Sequence, residues 1–277
     1  MHRSVRSQLS FSAQAGHARI ALMIAVARVP GLNVNEQWRV SIDGDNAEIQ
    51  EVEAPHQGRI HMLELDVDEG KRSHVDVEYT AEVHGQVERS TQQAPEPSAA
   101  ELLTYIRPSR YAESDQLLPT AHALFAGLSG LDLLNAVASY AHEVLNYVPG
   151  SSRFTDGAVQ TLLSRQGVCR DYAHLVVALL RGLDVPARLA AVYAPGLTPM
   201  DFHAVAEAWV DGAWHAADST RMAPRPGLLR ISTGRDAADT AFLSAHGARV
   251  QMTGQSVAAT TEGQLPADDH ATAFQLP

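Results

Sequence analysis

The first third of the chain alternates between apolar and polar residues. The clearest run is Arg72 to Val83, where Val75, Val77, Tyr79, Ala81 and Val83 alternate with Asp76, Glu78, Thr80 and Glu82, the period-two pattern of a half-buried strand. Similar runs cover Ser4 to Phe11, Ala18 to Ala27, Gln37 to Ile42, Ala47 to Val52 and Arg59 to Val67. Turn chemistry separates them at Pro30-Gly31-Leu32-Asn33, Asp43-Gly44-Asp45-Asn46 and Asp68-Glu69-Gly70. Short strands so spaced predict an all-β sandwich over residues 1–90. Residues 91–98, polar and carrying Pro95 and Pro97, suit a linker.

Beyond residue 98 the period changes to that of helices. Leu131 to Tyr147 follows it through Leu134, Val137, Ala138, Ala141, Val144 and Leu145, and a shorter helix is predicted from Asp156 to Arg165, with Gly167 as its exit. Tyr105 to Tyr111 reads as an irregular lead-in. Leu175, Val176, Leu179, Leu180 and Leu183 recur at helical spacing, and Gly182 with Pro186 closes the segment, giving a helix over 169–182. Leu228 to Thr233 and Ala248 to Val257 read as strands that extend the sheet of this second unit, whereas residues 261–277 lack periodicity and read as a loose tail. The expected fold class is α+β: the sandwich, then a domain over 99–260 in which the helix carrying Cys169 packs on an antiparallel sheet.

Residues 201–220 predict a hairpin closed by the two-residue turn Asp211-Gly212. That turn sets the register: Val210 faces Ala213, Trp209 faces Trp214, Val205 faces Asp218 and His203 faces Thr220. His203 and Asp218 then emerge on one face as diagonal neighbours within side-chain reach, and His215 falls on the other face. Cys169, the single cysteine of the chain, sits in the first turn of its helix. There the unpaired N–H groups and the positive end of the dipole favour a thiolate. A helix-terminal cysteine, a strand histidine and a carboxylate on the next strand are the parts of a Cys-His-Asp triad: Cys169 attacks an acyl carbon, His203 takes and returns the proton, and Asp218 orients the imidazole and stabilises its charged form. Gln166 could donate to an oxyanion beside the Cys169 N–H, or simply belong to a loop. Asp171 is assigned to the helix terminus, and His174, about 500° around the helix from the thiol, to packing or capping.

The blocks Gly167-Val168-Cys169-Arg170-Asp171-Tyr172-Ala173-His174-Leu175, His203-Ala204 and Asp218-Ser219-Thr220 resemble the signatures of bacterial transglutaminase-like proteins, whose core belongs to the papain-like cysteine enzymes. The likeness extends to Asn146-Tyr147-Val148-Pro149-Gly150 and to Gly234-Arg235-Asp236-Ala237-Ala238-Asp239. It implies a papain-like catalytic domain, no cofactor, and a peptide or protein amide substrate. Two departures concern the walls of the acyl pocket: Val205 and Ser219 stand where the family usually has tryptophan and proline.

Composition narrows the alternatives. At 277 residues and 45% hydrophobic the chain can bury a sizeable core and favours two domains. A net charge of -11 without a basic, aromatic-interleaved run argues against nucleic acid as a partner. Thirteen histidines invite a metal, but His142-Glu143 lacks its second helical histidine and the lone cysteine allows no Cys-x-x-Cys. The apolar run Ile20 to Ala27 is too short to span a bilayer. One cysteine and an amino terminus without an apolar signal core lead to the expectation of a cytoplasmic protein with no membrane association. The leading functional reading is thiol-dependent acyl transfer on amide bonds, to an amine as in a transglutaminase or to water as in a peptidase or amidase. The alternatives are a non-catalytic peptide- or protein-binding module on the same fold, or an assembly protein whose acidic sandwich binds a partner.

Overall fold

Two long strands carry the first sheet. The computed structural model describes residues 1–85 and 96–277, and its first strands are β1 (His2–Leu22), β2 (Asn33–Ile42), β3 (Asp45–Asn46), β4 (Gln50–Glu53) and β5 (Arg59–His84). β1 and β5 pair antiparallel from His2 opposite His84 to Leu22 opposite His61. The sequence predicts two strands in the place of each. At the expected Asp68-Glu69-Gly70 turn the ladder bulges instead: Gln14 pairs with Arg72 and Gly16 with Val67, so residues 68–71 have no partner in β1. Gly16 and Gly70 take φ of +130° and +77° there, where an L side chain would be strained. Turn chemistry bends this ladder without ending it.

The remainder of the chain runs through α1 (Ala99–Thr104), α2 (Ser114–Phe125), α3 (Gly130–Val144), β6 (Asn146–Tyr147), α4 (Ala158–Ser164), β7 (Gln166–Gly167), α5 (Cys169–Arg181), β8 (Ala187–Tyr193), β9 (His203–Val210), β10 (Ala213–Ala217), β11 (Leu229–Gly234), α6 (Ala237–Thr240), β12 (Leu243–His246) and β13 (Val250–Thr261). Residues 91–95 of the expected linker lie outside the described residues. Its last residue, Ser98, accepts the Glu101 N–H on its hydroxyl at 3.2 Å and starts α1.

β13 returns to the first sheet, pairing with the first half of β1 from Arg3 opposite Thr261 to Ala13 opposite Val250, while β12 pairs with the second half. β2 and β4 flank the two halves of β5. The inward rows of both halves, among them Leu9, Phe11, Ile20, Leu22, Leu63, Leu65, Val77 and Tyr79, join one apolar cluster. The layers of this sandwich are thus made from continuous strands. The placement of β13 corrects the expectation that Ala248 to Val257 extends the catalytic sheet: a period-two pattern reports a half-buried strand without naming its partner. The division at 91–98 therefore separates strands of one sheet. Tyr193, Leu229 and Ile231 enter the same cluster from β8 and β11, and the Tyr193 hydroxyl donates to Ile24 O at 2.6 Å.

The second sheet has the order β10-β9-β8-β11, antiparallel throughout. On one face Leu175, Val176, Leu179 and Leu180 of α5 pack with Ala187, Ala206, Ala208 and Val210, and α2 and α3 close the cluster. Each Leu or Val so buried contributes about 1.5–3 kcal/mol relative to exposure. On the other face Ala190, Val192 and Val205 meet Leu228 and Leu276. Leu276 belongs to the stretch expected to be a loose tail. The tail is docked: Arg225 grips Asp268 with two bonds of 2.8 and 2.9 Å, and Phe274 O accepts the Ala216 N–H on the free edge of β10 at 2.7 Å. A segment held by single polar anchors and two apolar residues carries no period to read.

Candidate active site

Cys169 opens α5 because the residues around it close a helix start. The Asp171 carboxylate accepts the Val168 N–H at 2.8 Å, tying the first turn back to its cap, as a capping box does. Gly167 lets the two approach: a Cβ there would lie 2.7 Å from the Asp171 Cβ. Arg170 reaches the other way, donating to Arg153 O at 2.7 Å and to Ser152, which fastens the 148–156 loop beside the cysteine. The spacing Gly167-x-Cys169-x-Asp171 is thus a structural device that presents the thiol. Asp171 is the terminus residue the sequence predicts.

The hairpin register agrees with the one the Asp211-Gly212 turn predicts, with Val210 opposite Ala213 and Trp209 opposite Trp214. Asp218 follows directly on β10, and its Oδ2 accepts from His203 Nε2 at 2.9 Å, both side chains fully buried. The other oxygen, Oδ1, accepts the Thr220 N–H at 3.0 Å and the Thr220 hydroxyl at 2.7 Å. His142 on α3 donates from Nδ1 to Ser219 O at 3.0 Å. Thr220 and His142 were not singled out for this role from the sequence; the Asp-x-Thr spacing, which lets a carboxylate bond the backbone two residues on, was the available signal for Thr220.

The half-buried Cys169 thiol lies 3.9 Å from the carbonyl oxygen of Phe202, the residue before His203. His203 Nδ1 is buried without a hydrogen-bond partner. Burial alone would discourage charge on this ring. The Asp218 carboxylate and its hydrogen bond outweigh that, helped by the nearby Cys169 sulfur, and push the His203 pKa up to about 10. Asp218 is shifted oppositely: burial opposes its charge, but His203 and the two Thr220 bonds hold its pKa below the ordinary carboxylate value. The pair therefore holds an imidazolium at neutral pH.

The other candidates separate from this centre. His174 is fully buried, stacks on Tyr111 with ring centroids 5.2 Å apart, and accepts the Ala237 N–H on Nε2 at 3.1 Å. Burial lowers its pKa to about 3, so it is a neutral packing histidine. Gln166 is exposed and lines a small polar hollow with Ser151, Asp156 and Asp171. His215 lies one strand position from the Trp209 and Trp214 pair, whose rings meet edge-on at 5.7 Å. Among the described residues no group of three or more His, Cys, Asp or Glu is disposed to hold a metal ion.

Known proteins resemble the chain in sequence and in fold. Residues 126–219 match the family model of the transglutaminase-like superfamily, so the chain contains a transglutaminase-like domain. Over 99% of its length it superposes on a solved structure from Cytophaga hutchinsonii, described as a candidate cysteine protease, with a TM-score of 0.84 and 27% identity, covering 96% of that chain. An uncharacterized protein of Mycobacterium leprae is 29% identical over 116 residues, which is 39% of this chain and 42% of that protein. One of Mycobacterium tuberculosis is 35% identical over 71 residues, 26% of this chain and 21% of that protein. The chain thus spans less than half the length of these two relatives. In fold and over residues 126–219 the chain is thus similar to proteins of the transglutaminase-like and cysteine-protease kind.

Proposed function

We propose that this protein catalyses thiol-dependent acyl transfer on amide bonds of a peptide or protein, with Cys169 as nucleophile, His203 as proton carrier and Asp218 as its orienting anion. The observation that carries this reading is the buried His203–Asp218 bond of 2.9 Å set beside a cysteine at a helix start, with the other ring nitrogen unpaired. In the proposed cycle the sulfur attacks the carbonyl carbon, a C–S bond forms, and the C=O π pair moves onto oxygen. As the tetrahedral adduct collapses, the C–N bond breaks and His203 gives its proton to the departing amine. A second amine or water, deprotonated by His203, then attacks the thioester and releases Cys169.

Turnover of an acyl-amide or activated-ester substrate by folded Cys169→Ala, His203→Ala and Asp218→Asn tests the assignment. Loss to background is expected for Cys169→Ala. Unchanged turnover there would end the cysteine reading; absence of turnover in the wild type would favour the non-catalytic binding module. Trapping the thioester with a lysine analogue in competition with water separates a transferase from a hydrolase.

A further inference from the structure

Arg225 stands between Pro224 and Pro226, and a residue flanked by prolines has little backbone freedom. Its side chain is buried, and its planar fork is used in two directions. Back along the chain, Nη1 donates to Ala216 O at 3.0 Å. Toward the last residues, Nε and Nη2 donate to the two oxygens of Asp268 at 2.9 and 2.8 Å, the Arg225 N–H donates to the same carboxylate at 2.8 Å, and Nη2 reaches Thr272 O at 3.1 Å. Asp218, two residues past Ala216, lies inside the loop that the bond from Arg225 to Ala216 closes. We infer, on the triad reading proposed above, that Arg225 is a positioning residue for the His203–Asp218 pair, which it serves by clamping β10 and the segment 268–276 together beside Asp218.

Both outward backbone atoms of Ala216 are taken in this way, O by Arg225 and N–H by Phe274 O at 2.7 Å. The segment is shaped to make these contacts: Asp269 accepts the Ala271 and Thr272 N–H groups at 2.9 and 2.8 Å, which turns the chain, and Asn135 on α3 donates to Ala271 O at 2.9 Å. Past the turn it crosses the face of the second sheet that carries His203. Leu276 joins Val205, Ala216 and Val192 in one apolar cluster, and Val205 is the residue between His203 and Glu207 on that face of β9. Arg230 on β11 then donates to Pro277 O at 3.1 Å. The segment covers the strand positions next to a pair whose two side chains are fully buried. An apolar cover would keep water out without setting a position, whereas a rigid fork that grips one carboxylate and one carbonyl does both. The other bonds to Asp218 come from Thr220 in the same loop, so a shift at Ala216 or Arg225 reaches both the carboxylate and its partner.

The charge-assisted bond between an imidazolium and a carboxylate is short and strong, and its proton resonates far downfield, where loss of the signal in His203→Ala assigns it. Arg225→Lys keeps the charge opposite Asp268 and gives up the fork. It is expected to shift or broaden that resonance and to slow acylation of Cys169 by p-nitrophenyl acetate, per folded molecule, by about tenfold, as misplacement away from the chemistry does. In an Asp218→Asn background the same substitution should change acylation by less than about twofold, since a residue acting through Asp218 then has nothing to position. An unmoved resonance in folded Arg225→Lys, or the same loss of rate in both backgrounds, would overturn the proposal. If Arg225→Lys does not fold, Asp268→Asn, which keeps the shape and weakens the grip, is expected to show the same pattern with about threefold in rate, and the same two results would overturn it. Wild-type acylation in Cys169→Ala would defeat the nucleophile assignment by itself, while the downfield resonance would still report whether Arg225 holds the pair.

Discussion

Two buried charged clusters sit four residues apart on β9 and differ in one respect. Glu207, on the same face as His203, is gripped by Arg230 through two bonds of 2.7 and 2.8 Å and by Arg188 Nε at 2.8 Å. Arg188 also lies 3.8 Å from the Trp214 ring centre and meets His56, in the turn between β4 and β5, at 3.3 Å. Every atom of the Glu207 carboxylate is thereby occupied. Burial opposes its charge, yet the two guanidinium groups hold its pKa down to about 2. The His203–Asp218 pair is equally buried, and both carboxylate oxygens are used, but one ring nitrogen has no partner, and the Cys169 sulfur is near enough to help raise the His203 pKa. A carboxylate saturated by two guanidinium groups is a brace; His203 differs from the packing histidine His174, whose Nδ1 is also unpartnered, in holding a buried carboxylate on one nitrogen with a cysteine nearby.

That contrast can be broken at either cluster. The largest effect is expected at His203→Ala, where acyl transfer should fall close to background and iodoacetamide labelling of Cys169 at pH 7 should slow by roughly tenfold or more, since an unassisted thiol is only a few per cent ionised. Normal labelling would show that the histidine does nothing for the sulfur. Glu207→Gln should act on stability instead. Removing one partner of a buried ion cluster typically costs about 3–5 kcal/mol, readable as a lower urea midpoint, while turnover per folded molecule stays within about twofold. A large turnover loss at full stability would mean that the brace belongs to the site.

Asp218→Asn falls between the two. It preserves shape and removes charge, and a loss of about 10 to 10³ in turnover is expected. This is less than the roughly 10⁴ seen in serine triads, because an imidazolium already formed leaves the carboxylate less to do in the transition state. Loss as complete as in Cys169→Ala would argue for a neutral thiol that depends on general-base help.

The pH profile of stability distinguishes the clusters by sign. His203 is raised from 6.5 to about 10, so the stabilisation of its charged form is complete below about 6.5 and is lost as pH rises through about 10. Glu207 is lowered from 4.5 to about 2, so its contribution is present above about 4.5 and is lost as pH falls through about 2. Asp218→Asn should flatten the alkaline limb and Glu207→Gln the acid limb, each checked by urea unfolding across pH; the reverse pattern would contradict the assignment of charge. The smallest effect is expected at Thr220→Val, which removes one hydroxyl bond to Asp218 and keeps the backbone one. A stability loss of about 0.5–1.5 kcal/mol fits one hydrogen bond, and a change outside that range by urea titration would show a different load on Thr220.

The site was more legible than the chain around it because its determinants are local. A two-residue turn sets the His203–Asp218 register by counting, and the Cys169 helix shows its start and its apolar face within fourteen residues. What the sequence concealed depends on distant contacts. The pattern of Val250 to Thr261 shows a strand but not that it crosses back to β1. The docked tail depends on Arg225 finding Asp268 across 43 positions. Helix α2 carries Pro119 in its interior, which weakens the helical signal that burial of Leu117, Ala121 and Phe125 overrides in the fold. Tyr147 lies in a motif visible in the sequence, but its place opposite Gly167 arises from the parallel pairing of two-residue strands, too short to read.

The measurement that bears most directly on the central assignment is the intact mass of the protein after brief exposure to an activated ester, followed by peptide mapping. One acyl group on Cys169 is expected, forming in wild type, slowed strongly in His203→Ala and absent in Cys169→Ala. An adduct at another residue, or turnover that survives the loss of Cys169, would contradict it.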